Sequence, residues 1–415
     1  MNNIFNSYNN DDIQNVDKVD KVDKVDNVDD VDNVDDVDNV DNVDNVDDSI
    51  NIFNDSSNNE NWTTFKLPIE YQTKIRKIDT NIIYDLELKN DQERDISSLY
   101  HYVYNPQTYF GKRIINKWSE YYTSNKPFLK DSRNLIKNFK NNVSFNNDED
   151  DFDSGEDFFK IFAETKCDSE FINRYQYINF DWFKNFNYNI YVLSVMSLYN
   201  LSSPLFSLLT PIICLILPFF IIKIQGYTIT IDLYFKYLKS TLGRHVIGQL
   251  INNFKGAILE QKIYIIISFI FYIIQTYQNI ISCYSFYTNI KKIHNILFKT
   301  RDYILSSINS MNNFYKYSKK YKSYIGFNTD LNHNKNILNN YYKQLIKITD
   351  YKISKEKLLN LGHLMKCFYV LYDNKKLCKA MCYSFGFNGY IDNLSGLKRN
   401  IKNRSEEHTS ELQSP

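Results

Sequence analysis

Alanine is nearly missing from this chain: among 415 residues only Ala163, Ala257 and Ala380 occur. Asn, Ile, Lys, Tyr and Phe take its place, the bias that an AT-rich genome produces. Glycine is scarce too, 11 in all, and nowhere do the glycines form Gly-x-x-x-x-Gly-Lys-Ser/Thr. That excludes a phosphate-binding loop of the common kind within the chain. Six cysteines fall in no framework spacing, which argues against a disulfide scaffold and for reduced thiols in a cytosol-like compartment. Cys378 and Cys382 stand at i, i+4 on one predicted helix face, but no second His or Cys pair lies near them. They read as structural residues and not as metal ligands. His294, His333 and His363 are single, and each reads as a surface or packing histidine. The first hydrophobic run begins near residue 186, so no signal peptide is predicted.

Net charge is also absent: 49 basic residues balance 49 acidic ones. The balance hides a split. Val16 to Asp48 is a triplet repeat with Val at every third position, and it carries fourteen Asp against three Lys, a local −11. The remainder therefore sums to +11. A period of three fits neither helix nor strand, and the aspartates repel one another, so residues 1–60 are expected to be disordered. A second acidic patch, Asp148 to Asp157, reads as an exposed loop between helices. It shares only its carboxylate count with a calcium loop, because the EF-hand spacing is missing.

What the chain has in quantity is apolar helix. From Asn185 to Ile222, 38 residues pass without a charge, bracketed by Lys184 and Lys223. Ile263 to Ile290 repeats the pattern between Lys262 and Lys291. Each run can supply the about 20 apolar residues that a helix needs to cross ~30 Å of hydrocarbon. Pro204, Pro211 and Pro218 are costly in a soluble helix but tolerated in a membrane one. Tyr188, Tyr191, Tyr284 and Tyr287 suit the interfaces. Spans are expected over about residues 203–223 and 263–284, within a membrane region 185–290. Two crossings put both chain ends on one side of the bilayer. That side is taken as the cytoplasmic one, although lysines flank both runs and give no orientation signal.

The flanking regions, 61–184 and 291–403, carry helical spacing. Leu99 to Phe139 predicts two helices around the turn Thr123 to Pro127, with Phe110, Ile114, Ile115 and Trp118 on one stripe. Leu129, Leu135, Ile136 and Phe139 form a second, less regular stripe. Lys291 to Tyr321 predicts one long amphipathic helix, ended by Gly326 and Asn328. Helices over Ile337–Ile348 and Ser354–Leu371 follow. Gly386, Gly389 and Gly396 lie within eleven residues and suggest a compact turn with positive φ. The expected fold class is mainly α: a disordered acidic repeat, then a helical, lever-like region interrupted by two transmembrane helices. No residue supports a catalytic, cofactor-binding or metal-binding role.

Two stretches together resemble the MutS family of DNA mismatch-repair ATPases. NPQTYFGKRIINKWSEYYTSNKPFLKDSRNLIKNF is similar to the start of that family's core and lever, with Thr108, Gly111, Lys112, Arg113, Ile115 and Trp118 at the matching positions. SFGFNGYIDNLSGLKRNIKN looks like the connection leading toward the family's ATPase domain. The resemblance is of the kind found in MutS-like proteins of giant DNA viruses, in which a hydrophobic membrane pair interrupts the core helices. The resemblance implies a helical lever, ATP and Mg in a further domain, a homodimer, and DNA as a partner. No mismatch-reading domain fits before residue 60, and the one Phe-x-Glu, Phe162 to Glu164, lies beside the acidic patch. The resulting expectation is the lever and anchor of a membrane-bound MutS-like protein without its ATPase. A non-enzymatic helical membrane scaffold is the alternative, together with a soluble helical DNA-binding protein. No basic cluster interleaved with aromatics favours nucleic acid.

The tail, Arg404 to Pro415, abandons the composition of everything before it. RSEEHTSELQS can be back-translated within codon degeneracy to match a common sequencing-library adapter. Residues 404–415 are therefore expected to be read-through, with the native protein continuing past Asn403.

Overall fold

The computed structural model describes residues 62–89, 98–140, 154–226, 230–244, 246–252, 254, 256, 258–348 and 355–411. The acidic repeat and most of the Asp148–Asp157 patch lie outside these residues. The described chain is mainly helical. Its helices are α1 (Thr80–Asp85), α2 (Leu99–Tyr104), α3 (Tyr109–Ile114), α4 (Lys126–Asn138), α5 (Ser154–Cys167) and α6 (Phe171–Arg174). Then come α7 (Ile190–Ile224), α8 (Ile231–Arg244), α9 (Val246–Asn252), α10 (Leu259–Ser318), α11 (Ile325–Leu345), α12 (Lys355–Asp373) and α13 (Lys375–Glu411). A small antiparallel pair, β1 (Ile75–Lys77) and β2 (Tyr121–Thr123), is registered with Arg76 opposite Tyr122.

The core is organised around α13. Every residue from Ala380 to Leu394 is buried, so this stretch of the helix is enclosed on all sides. The extended segment Trp62–Leu67 lies across it: Thr63 donates to the Cys382 carbonyl at 2.6 Å and Thr64 to the Lys379 carbonyl at 3.0 Å. Phe65 then inserts among Phe327, Tyr383, Phe387 and Tyr390 in edge-on and tilted ring contacts. On another side Phe385 stacks on Phe110 with ring centroids 5.1 Å apart. Aromatic residues do most of the packing, as the composition requires. Their quadrupoles favour such offset and edge-to-face geometries over open sandwiches.

α10 is the longest element, 60 residues, or roughly 90 Å at 1.5 Å per residue. Its two halves differ. From Phe286 onward it buries an i, i+3, i+4 stripe, including Ile290, Ile293, Leu297, Ile304, Ile308, Met311 and Phe314. Before Phe286 only Ile265 is buried among its described residues. The helix expected over Lys291–Tyr321 and the apolar run before it are thus one uninterrupted rod.

Several expected boundaries move. The first helix within Leu99–Phe139 is broken into α2, α3, a 3-10 turn at Ile115–Ser119 and β2. Asn105 adopts φ 39° and ends α2, which explains the first break. Gly326 and Asn328 do not terminate the long helix. It stops at Ser318, and both residues lie inside α11, which begins twelve residues earlier than Ile337. The Asp148–Asp157 patch is not wholly loop, since Glu156 and Asp157 form the acidic first turn of α5, where a helix dipole favours them. Helix α13 continues through Arg404 to Glu411.

Candidate functional site

Two features stand out: an apolar arm, and the junction that fixes the base beneath it. The junction is built where α13 meets the short helices α2, α3 and α4. Thr108 caps α3, its hydroxyl accepting from the Gly111 amide at 3.1 Å. Asp392 of α13 then accepts from the Gln107 amide at 2.9 Å, the Thr108 amide at 2.8 Å and the Thr108 hydroxyl at 3.0 Å, all on Oδ2. A carboxylate at a helix N-terminus satisfies amides that have no partner within the helix. Burial raises the Asp392 pKa above its ordinary value, and the bonds from Thr108 and Gln107 with the charge of Arg399 oppose that rise.

Six residues later α13 reverses sign. Lys398 donates to the carbonyls of Lys137 and Phe139 at the end of α4. Arg399 donates to the Asn105 carbonyl at 3.2 Å, and Asn400 to those of Tyr102 and Val103 at 2.8 and 3.0 Å. One helix therefore presents an acid to a helix N-terminus and cations to two C-termini, the arrangement that helix dipoles favour. Asn393 sits between, its amide donating to the Gly111 carbonyl at 3.2 Å and accepting from the Trp118 indole at 3.0 Å.

The junction gathers most of the residues on which the family resemblance rests. Thr108, Gly111 and Trp118 are at its centre. Arg113 lies at its edge, bonding the Tyr109 hydroxyl at 2.7 Å with its guanidinium 4.9 Å from the rings of Trp62 and Phe159. Lys112 is exposed and Ile115 buried. Gly386, Gly389 and Gly396 correct the expectation of a turn, because all three lie inside α13 and none has positive φ. They are close-approach positions. A Cβ would stand 2.4 Å from the Phe65 Cβ at Gly386, 2.5 Å from the Phe110 carbonyl oxygen at Gly389 and 1.8 Å from the Tyr104 carbonyl oxygen at Gly396. Gly111 faces Asp392 Oδ2 in the same way, at 2.1 Å. Asp392, Asn393 and Lys398 belong to no local motif, and the polar run IDNLSGLKRN that follows the apolar stretch before it is the signal that the sequence holds for them.

These residues do not fit ATP or Mg. The glycines are covered by backbone and rings rather than open to a phosphate, and among the described residues no three His, Cys, Asp or Glu side chains are grouped to hold a metal. Cys378 and Cys382 share a face of α13 and are buried. A hydrogen bond from Cys382 holds the Cys378 thiol below its ordinary range and pushes Cys382 up. The His363 ring pairs with the Gln344 carbonyl at 2.9 Å, a packing role.

The arm consists of α7, α8, α9 and the first half of α10, which contact one another in sequence order, with α7 also packed along α10. Near the base the Cys283 thiol meets the Leu201 carbonyl at 3.4 Å. Gly362 of α12 lets α7 approach so closely that a Cβ there would lie 2.2 Å from the Ile190 carbonyl oxygen. Beyond this point the surface is apolar: Ile263, Ile266, Ile267, Ile270, Phe271, Ile273, Ile274, Ile280 and Ile281 are all exposed. Among the described residues α10 is the helix long and apolar enough to cross a membrane, and Ile190–Phe206 is a shorter apolar stretch. One span, not the expected two, meets that measure. The three prolines do not interrupt α7, which runs through all of them.

No family model matches this chain, and no curated protein or solved structure gives a match to it.

Proposed function

We propose that this chain is a membrane-anchored helical lever, in which the apolar arm crosses a bilayer and the aromatic base holds the arm rigidly on one side. One observation carries the reading. Only 6% of the most apolar window of α10 is buried, although the same rod is firmly packed from Phe286 onward. The core helix of a soluble protein would bury that window. An exposed isoleucine surface of this extent has a favourable environment in lipid and a costly one in water.

The dimensions agree. Lys262 and Lys291 are separated by 29 positions, roughly 44 Å of helix, against about 40–45 Å for a bilayer with its headgroup layers. At the base end, Phe180, Trp182, Phe183 and Phe186 are exposed beside α7. Bonds from Gln176 to Ser282 and from Asn289 to the Arg174 carbonyl hold the neighbouring segment level with Tyr284 and Tyr287. Trp182, Tyr284 and Tyr287, which pair an aromatic ring with a polar group, favour that interfacial depth. In this reading α7, which does not meet the measure of a span by itself, is carried through the bilayer by its packing along α10, so that the chain is multi-pass and its two ends share one side.

The MutS-like reading of the lever is favoured by one specific feature. The stretches that suggested it, around Thr108–Trp118 and Gly386–Gly396, are far apart in sequence yet meet at a single junction. A lever needs such a fixed joint between its long helix and its base. The bilayer is the partner this proposal requires, whereas a homodimer, DNA and ATP rest on the resemblance alone. The test for the anchor is alkaline carbonate extraction of membranes from cells expressing the full chain. Retention in the pellet supports the proposal, and release to the supernatant overturns it. Reading the gene past codon 403 tests the lever, since a phosphate-loop motif downstream supports the MutS-like version and an immediate stop codon removes it.

A further inference from the structure

The far tip of the arm carries a surface that the anchor alone does not need. The helix α8 turns Leu233, Tyr234, Tyr237, Leu238 and Thr241 inward, and the Tyr237 hydroxyl donates to Gln225 at the end of α7 at 3.0 Å. That contact fixes which face of α8 looks outward. The outward face holds Ile231 and Phe235 along one side and Lys236 and Lys239 along the other, with Asp232 between them. Ile224, Ile258 and Leu259 at the neighbouring helix ends are exposed too, as is Lys223. Lys262 lies over the Phe254 ring at 5.8 Å, at the N-terminal end of the span. Among the described side chains of the tip the charges are Lys223, Lys236, Lys239 and Lys262 against Asp232 and Glu260. Apolar side chains beside lysines on one helix face are the pattern of a helix lying in a membrane interface, its apolar edge in the acyl boundary and its cations among headgroups.

Resting on the anchor reading, we propose that α8 lies in the distal leaflet interface and that Lys236 and Lys239 bind the headgroups of anionic phospholipids. The partner is fixed by charge complementarity. Zwitterionic headgroups offer no net charge to a surface with twice as many cations as acids, whereas an anionic lipid layer attracts each such lysine with an energy equivalent to about a five-fold gain in affinity. The length of α10 puts Lys262, and with it the tip, at headgroup depth when Lys291 occupies the opposite headgroup layer.

The experiment uses the full chain reconstituted into vesicles, with spin-labelled phosphatidylserine and phosphatidylcholine competing for the protein boundary. Wild type should prefer phosphatidylserine, and Lys236→Gln/Lys239→Gln should reduce that preference by about 25-fold, five-fold for each lysine. The charge-keeping Lys236→Arg/Lys239→Arg variant should retain it and shows that the sites tolerate substitution. An unchanged preference in the glutamine variant overturns the inference. So does a loss seen only with Lys291→Gln/Lys292→Gln, which would place the lipid contact at the base. Carbonate extraction of the same samples separates the two proposals. Retention of the protein without lipid preference sinks only the tip site, while release of wild type sinks the anchor and the tip site with it.

Discussion

Asp392 accepts both the amide and the hydroxyl of Thr108 on a single oxygen, across 284 residues of sequence. This pair closes the base: it joins the enclosed helix α13 to the capped start of α3. Removing the acceptor strands two amides and a hydroxyl at a site only 9% exposed. Asp392→Ala should therefore cost about 2–4 kcal/mol, from unsatisfied groups and lost packing. Asp392→Asn can place its carbonyl where Oδ2 lies and keep all three bonds, so it should stay within about 1 kcal/mol of wild type. Thermal unfolding of the detergent-solubilised chain measures both. Equal losses in the two variants would show that the charge, not the acceptor, matters.

The same carboxyl sets a pH dependence. Burial is the largest influence on Asp392 and raises its pKa above the ordinary 3.8. The folded chain thus holds this proton more tightly than the unfolded one. Its contribution to stability is full below pH 3.8 and is lost as pH rises through the raised folded value. Relative to Asp392→Asn, which cannot titrate, wild type should gain stability as pH falls from 7 toward about 3.5. A difference in unfolding midpoint that stays constant across that range would contradict the assignment.

Glycine substitutions should split by location. An alanine at Gly396 would put its Cβ 1.8 Å from the Tyr104 carbonyl oxygen, so Gly396→Ala must push α2 away and should cost about 1–3 kcal/mol. At Gly326 a Cβ would meet only the Tyr71 ring at 3.4 Å, an ordinary contact, and helix propensity favours alanine by up to about 1 kcal/mol. Gly326→Ala should be neutral or stabilising. Unfolding midpoints that fall equally in both would show that close approach is not what requires Gly396.

That pair also shows what the sequence made legible. Periodicity located the amphipathic stripe of α10, Ile293 to Met311, because every stripe residue faces the same core. It could not show that the apolar run before it is the same helix, since no cap or breaker separates them and the change is one of surroundings. Three glycines read as a turn because local propensity is all that a sequence displays. Their cause is tertiary: Phe65, Phe110 and Tyr104 arrive from segments about 280–320 residues away. The cap provided by Asp392 was hidden for the same reason. Thr108 at a helix start is a local signal, whereas its partner on α13 is not.

Tryptophan emission offers a direct test of membrane depth. Trp62 is buried, Trp118 is stacked on Tyr104 at 4.3 Å, and Trp182 is 93% exposed. If the Phe180–Phe186 turn lies at the interface, Trp182 in proteoliposomes should be shielded from aqueous acrylamide and quenched by lipids brominated near the headgroup. A Trp182→Phe variant should lose that component and leave the buried emission intact. Full acrylamide access to Trp182 in vesicles would place the turn in water and shift the bilayer boundary toward the tip.

Charge placed on the arm separates a lipid surface from a merely exposed one. Ile267 and Phe271 of α10 lie one turn apart and are 47% and 66% exposed, close to the 49% and 70% of Leu99 and Tyr102 on α2. In water, lysines at either pair would be harmless, since no contact of comparable size is lost. In a bilayer a lysine costs roughly 2.5–3.5 kcal/mol at mid-depth and less toward the headgroups, where Ile267 lies, while the base pair never leaves the aqueous side. Ile267→Lys/Phe271→Lys should therefore lower the carbonate-resistant fraction several-fold, and Leu99→Lys/Tyr102→Lys should leave it unchanged. If the arm variant extracts like wild type, the exposed isoleucines of α10 do not contact lipid, and another surface holds the chain at the membrane.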